Sequence, residues 1–65
     1  MTLIINGETR DLAAPSLARL LEALELDDAA VATAVNGRFV RRVDRQRTEL
    51  ADGDAVEILA PMQGG

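Results

Sequence analysis

Leu3 and Ile5 alternate with Ile4 in "TLIINGETRDL", and the run stops at Asn6-Gly7. Asn-Gly favours a tight hairpin turn, because a type I′ turn needs positive φ at both central residues. The segment therefore predicts a strand, a turn and a returning strand over Glu8 to Leu12, polar enough for a sheet edge. "PSLARLLEALEL" changes period. Leu17, Leu20, Leu21 and Leu24 fall at helical spacing and make one apolar stripe, with Arg19, Glu22 and Glu25 on the wet side. Ser16 is the expected N-cap, its hydroxyl accepting from an orphan backbone N–H. Asp27-Asp28 is the expected stop. "AAVATAVNGRFVRR" reads as strand, Asn36-Gly37 turn, strand, with Val31, Thr33 and Val35 on one face and Ala32 and Ala34 on the other. "VDRQRTEL" has no clear period and predicts an irregular connection anchored by Leu50. "ADGDAVEILA" predicts an Asp-Gly-Asp turn and a last strand in which Val56, Ile58 and Ala60 alternate with Glu57 and Leu59. Pro61 ends regular pairing, since it has no N–H to donate.

The predicted order is strand, strand, helix, strand, strand, strand. One amphipathic helix covers one face of such a sheet, so the expected class is an α+β two-layer domain over residues 1–60, followed by a flexible Gly-Gly tail over 61–65. If Leu3 and Ile5 face the helix, Ile4 faces away from it, and Leu59 turns outward with Glu57. With the first and last strands side by side, Ile4, Leu59, Ala32, Ala34 and Phe39 would share an uncovered apolar patch. Scattered exposed apolar residues are ordinary on protein surfaces. The functional alternative is a docking face beside the tail.

Composition narrows the chemistry. At 65 residues, 48% of them apolar, the chain suffices for one small domain. A domain of this size buries only about 60% of its unfolded surface, so its core must be well patterned. The chain has no Cys, hence no disulfide and no thiolate metal site, which points to a reducing cytoplasm. No apolar run approaches the roughly 18 residues of a membrane span. The start, "MTLIINGETR", has neither the basic region nor the long apolar region of a signal peptide. Net charge is −4, which argues against nucleic-acid binding. Every cation is Arg, and His, Tyr, Trp and Lys are absent. Most general bases and nucleophiles are therefore missing, and no catalytic residue is assigned. The five arginines of Arg38–Arg47 read as a solvated, partly ion-paired face, with a basic spot that steers toward an acidic partner as the functional alternative. Asp52-Gly53-Asp54 reads as a turn, because a calcium loop would need further oxygen ligands where Val56 stands. No metal site is assigned.

What remains is the end of the sequence, "PMQGG". Chance and leftover cloning residues are the bland explanations of two terminal glycines; a working terminus is the other. Glycines without side chains enter a channel too narrow for any Cβ. They would deliver a terminal carboxylate, which is inert until ATP converts it to an acyl-adenylate with AMP as leaving group. A sulfur nucleophile can then make an acyl–sulfur bond. In that arrangement the small domain supplies recognition and a partner enzyme supplies catalysis. Met62 either packs loosely at the end of the sheet or anchors the tail in a partner's groove, since Met fits irregular apolar surfaces.

The ordered set of "INGE", "SLARLLEALEL", "AVNGRFV", "ELADGDAVEIL" and the final "GG" resembles the family of thiamine-biosynthesis sulfur carriers over the whole chain. The resemblance implies a ubiquitin-like β-grasp, a mixed sheet of about five strands with the helix on one face. It implies that the chain is a carrier rather than an enzyme and holds no cofactor. Gly65, preceded by Gly64, would be adenylated by a ubiquitin-activating-like adenylyltransferase using ATP and converted to a thiocarboxylate. The sulfur would come ultimately from cysteine through a desulfurase and pass to thiazole synthase. Ile4, Phe39, Leu59 and Met62 are the expected partner interface; no nucleic acid and no membrane is expected to take part. The chain departs from the family at Val40-Arg41-Arg42, where Val-Pro-Arg is usual, and at Arg45, where Trp is frequent. Two other functions end on the same glycines: the small subunit of molybdopterin synthase, usually longer, and a protein modifier or plain interaction module of the same fold. Deleting Gly65 would not matter to a plain module, and a modifier would form isopeptide bonds to target lysines.

Overall fold

Both Asn-Gly pairs reverse the chain as expected. Asn6 and Asn36 each have φ of 50°, and Gly7 and Gly37 follow at 84° and 82°. The first turn joins β1 (Thr2–Ile5) to β2 (Glu8–Asp11), and the second joins β3 (Ala32–Val35) to β4 (Arg38–Val40). Between the hairpins lies α1 (Leu17–Ala23), and after them a 3-10 helix (Arg42–Arg47) and β5 (Ala55–Leu59). The computed structural model describes residues 1–60; the segment 61–65, with Met62, Gly64 and Gly65, lies outside the described residues, as does the expected tail.

The strands form one five-stranded sheet in the order β2-β1-β5-β3-β4. β1 and β5 run parallel and the other neighbours antiparallel, so the sheet is mixed and its last strand in sequence is its middle strand in space. Leu3, Ile5, Val56 and Ile58 point to the helix side, where they meet Leu17, Leu20, Leu21 and Leu50 in one core. Strand alternation then turns Ile4, Glu57, Leu59, Ala32, Ala34 and Phe39 to the opposite, uncovered side. Leu50 is the anchor expected of its connection: its N–H donates to Pro15 O at 3.2 Å, and Leu17 N–H donates to Thr48 O at 2.8 Å, tying the connection to the start of α1.

Ser16 caps α1 as its chemistry predicts, its Oγ accepting from Arg19 N–H at 3.2 Å. The helix stops earlier than Asp27-Asp28. Glu25 takes the left-handed conformation (φ 61°), Glu25 N–H donates to Glu22 O at 3.0 Å, and Leu26 N–H donates to Leu21 O at 2.7 Å. This is a Schellman cap with Glu in the place usually held by Gly. Leu26, partly buried, packs against the core beyond it, and that packing fixes the stop where local propensity gives no sign.

The arginine stretch also departs from expectation. Arg41 and Arg47 do form the solvated, ion-paired face, both donating to Asp44, at 2.9 and 3.2 Å. Their turn, however, is a regular 3-10 helix, and its Arg45 is only 6% exposed. Arg45 Nε donates to Thr33 Oγ1 at 3.1 Å and Nη2 to Val31 O at 2.7 Å, while Thr33 Oγ1 donates to Val40 O at 2.8 Å. Burial, and then the charge of Arg42, lowers its pKa from the ordinary guanidinium value, yet it remains a cation. At the position where the resemblance expects an aromatic filler, a guanidinium thus bolts the 3-10 helix to β3 through neutral acceptors. Arg45→Ala should lower the unfolding free energy by about 2 kcal/mol, since it strips a part-buried carbonyl and a buried hydroxyl of their donor, whereas Arg47→Ala should stay within about 0.5 kcal/mol. Urea denaturation checks both; equal midpoints for the two variants would contradict the assignment.

Candidate functional site

β5 is the last described element before the segment that ends, in sequence, in Gly64-Gly65. Two side-chain amides hold β5. At its start, Asn36 N–H donates to Ala55 O at 2.7 Å, Asn36 Oδ1 accepts from Ala55 N–H at 3.0 Å, and Asn36 Nδ2 donates to Asp54 Oδ1 at 3.0 Å. Toward its end, Asn6 Oδ1 accepts from Ile58 N–H at 2.8 Å and Asn6 Nδ2 donates to Ile58 O at 3.1 Å. The sequence pattern assigned both asparagines to their turns alone. The signal that was available is the choice of Asn over Gly or Asp in both pairs, because only Asn combines tolerance of positive φ with an amide that both donates and accepts.

The Asp-Gly-Asp segment is a turn whose carboxylates serve backbone donors. Asp52 Oδ1 accepts from Thr2 N–H at 2.6 Å, and Asp54 Oδ2 accepts from Ala51 N–H at 2.8 Å. The Ala51 N–H, and then the Asn36 amide, lower the Asp54 pKa from its ordinary value. Asp44 is lowered too, first by the bond from Arg41. Among the described residues no group of three or more His, Cys, Asp or Glu side chains is placed to hold a metal ion.

The uncovered face carries the expected interface residues in a particular arrangement. Phe39 is 70% exposed and Leu59 61% exposed, high values for the chain's only aromatic and for a strand leucine. Ala34 pairs with both Phe39 and Glu57, and Ala32 pairs with Leu59, so two small residues lie between the two large ones. Ile4 is half-buried and pairs with Ala55, which sets it four residues, about 13 Å, along β5 from Leu59. Glu57 stands between them. Ile4 thus shares the face with Phe39 and Leu59 without joining them in one contiguous patch. Val43, on the 3-10 helix, is 67% exposed and was not anticipated, because a single apolar residue among arginines carries no periodicity.

A mixed five-stranded sheet with a helix across one face is a β-grasp, and here it leaves one face open. The chain belongs to the ThiS family, whose family model matches residues 3–65. It is 36% identical over 61 residues to the sulfur carrier protein ThiS of Thermus thermophilus, covering 94% of this chain and 95% of that protein. The crystal structure of the thiamine biosynthesis protein ThiS from Geobacter metallireducens is similar over 100% of both chains, with 38% identity and a TM-score of 0.83. A solution structure of a thiamine biosynthesis protein from the same organism superposes with a TM-score of 0.81 at 33% identity, over 100% of this chain and 88% of that one.

The face assignment has a direct test. Leu59→Glu should leave stability within about 0.5 kcal/mol, while Ile58→Glu, one residue away on the core side, should abolish cooperative unfolding. Thermal melts of the two variants check it, and unfolding by Leu59→Glu would contradict it. Acid gives a second test. Because the folded pKa of Asp54 lies below 3.8, its stabilisation is complete above that value and is lost as the pH falls through the folded pKa. The thermal midpoint of Asp54→Asn should therefore fall less steeply below pH 3.8 than that of the parent chain; parallel curves would contradict it.

Proposed function

We propose that this chain is a sulfur carrier of thiamine biosynthesis and that Gly65 is the residue that carries the sulfur. Membership of the ThiS family is the observation that supports the reading most directly. The side-chain inventory agrees with it, since a chain without His, Cys, Lys or Tyr is suited to being acted on rather than to catalysing.

The chemistry follows from the carboxylate. An adenylyltransferase of the ubiquitin-activating kind joins the Gly65 carboxylate to the α-phosphate of ATP and releases pyrophosphate. ATP is bound by that enzyme, not by the carrier. A hydrosulfide equivalent, drawn ultimately from cysteine through a desulfurase, adds to the acyl carbon and AMP leaves, giving a thiocarboxylate. Thiazole synthase then takes the sulfur. Gly64 and Gly65 lack any Cβ, so this segment fits a channel that other residues could not enter.

The domain's part is recognition. Phe39 and Leu59 supply the large exposed apolar groups on the open face, with Ile4 further along it, and Met62 lies between that face and the glycines in sequence. Aromatic and apolar anchors of this kind carry most of the energy of protein interfaces. Neither a nucleic acid nor a membrane has a role in the scheme, and the partners are cytoplasmic enzymes.

ATP–pyrophosphate exchange with the adenylyltransferase tests the reading. The full chain should support exchange, and the chain lacking Gly65 should support none while keeping its thermal midpoint. Leu59→Glu should raise the carrier concentration needed for half-maximal exchange by about tenfold. Exchange that persists without Gly65 would overturn the proposal.

A further inference from the structure

We propose that Asn6 is a positioning residue for the C-terminal segment: its side-chain amide continues the β1–β5 ladder after the β1 backbone has turned away, and so sets the direction in which β5 hands the chain on. The functional part of this inference rests on the reading of Gly65 as the working end.

In a parallel ladder alternate residues of one strand face the other, each donating to the neighbour on one side of its opposite residue and accepting from the neighbour on the other side. Ile4 N–H donates to Asp54 O and Asn6 N–H donates to Val56 O, both at 2.9 Å. Continued regularly, the ladder would next use the carbonyl of residue 6 and the N–H of residue 8. The Asn6-Gly7 turn takes both away, because it starts β2 in the opposite direction. The Asn6 side chain replaces them: Oδ1 stands in for the carbonyl and Nδ2 for the N–H, at 2.8 and 3.1 Å from the peptide groups of Ile58.

Ile58 has no ladder bond on its other side. Asn36 and Ala55 form a hydrogen-bonded pair of the antiparallel β3–β5 ladder, and such pairs alternate. Ala34–Glu57 and Ala32–Leu59 are then bonded pairs, and Thr33–Ile58 between them is not. The N–H and C=O of Ile58 therefore turn toward β1 and meet only the Asn6 amide. Without it the strand would be held on one edge alone from Ile58 onward, one residue before Leu59 and a few before the glycines.

Asn36 supplies an internal control, because it has the same conformation and clamps the same strand at its other end. Asn6→Gly and Asn36→Gly both keep a residue that tolerates positive φ and lose only the side-chain amide. Amide hydrogen exchange and the kinetics of ATP–pyrophosphate exchange are measured on each. Asn6→Gly should expose the Ile58 amide and raise the KM for the carrier about fivefold at unchanged kcat, a factor within what the loss of its two hydrogen bonds supplies. Asn36→Gly should expose the Ala55 amide and leave KM at the parent value, with a similar loss of thermal stability. Asn6→Asp, which keeps the acceptor and loses the donor, should give an intermediate KM. An Ile58 amide still protected in Asn6→Gly overturns the ladder assignment. Equal KM increases in the two glycine variants overturn the positioning role, because they would reflect stability alone. Absence of exchange with the parent chain would instead overturn the proposed function, and the Ile58 amide alone would then decide the ladder.

Discussion

Everything that matters in this small domain converges on β5, and β5 depends on the parallel pairing with β1. A parallel pair between the first and last strands cannot be closed by a hairpin; it needs the whole intervening chain as its crossover. The helix, the second hairpin and the 3-10 helix are that crossover. In a chain with no disulfide and limited burial, such a long-range pair has to be held by its own bonds. The Asn6 amide adds to them at Ile58 where the backbone ladder of that pair runs out, while Asn36 at Ala55 ties the start of β5 to the second hairpin.

The same constraint explains the two faces of the sheet. One helix of three turns or fewer covers only the side to which Leu3, Ile5, Val56 and Ile58 point. The other side receives the alternate residues, and most of those are small or polar: Ala32, Ala34, Glu57, Thr9. Against that background Phe39 and Leu59 stand out, because no core demands them and solvent gains nothing from them. They lie on the strand that leads to the glycines and on the far edge of the sheet, with alanines between. An open face with large apolar groups is a surface by which a partner can grip a carrier.

Strands, turns and the helix were legible in the sequence because each rests on a local rule: alternation for Leu3 and Ile5, positive φ for Asn-Gly, a capping hydroxyl at Ser16, a stripe of leucines. The class of fold and the orientation of Ile4, Phe39 and Leu59 followed from those rules. Three features were not legible, each for a reason of distance. The helix ends at Ala23 because the partly buried Leu26 packs against the core, not because of Asp27. Arg45 is buried because Thr33 and Val31, more than ten residues earlier, offer it acceptors, and an isolated arginine in a charged run shows no period. The asparagine clamps join residues 52 and 19 positions apart, so their local role in the turns concealed their long-range one. Gly64, Gly65 and Met62 remain read from chemistry and family alone.

Under the proposed function the domain works as a handle, with Gly65 as its working end. The most direct test is the intact mass of the protein isolated from its own cells. A population heavier by the difference between sulfur and oxygen, and absent when Gly65 is deleted, is the predicted result and identifies a C-terminal thiocarboxylate. A single unmodified mass, persisting after ATP, the adenylyltransferase and a sulfur source are supplied, would contradict the carrier chemistry and leave the open face of the sheet as the protein's only working surface.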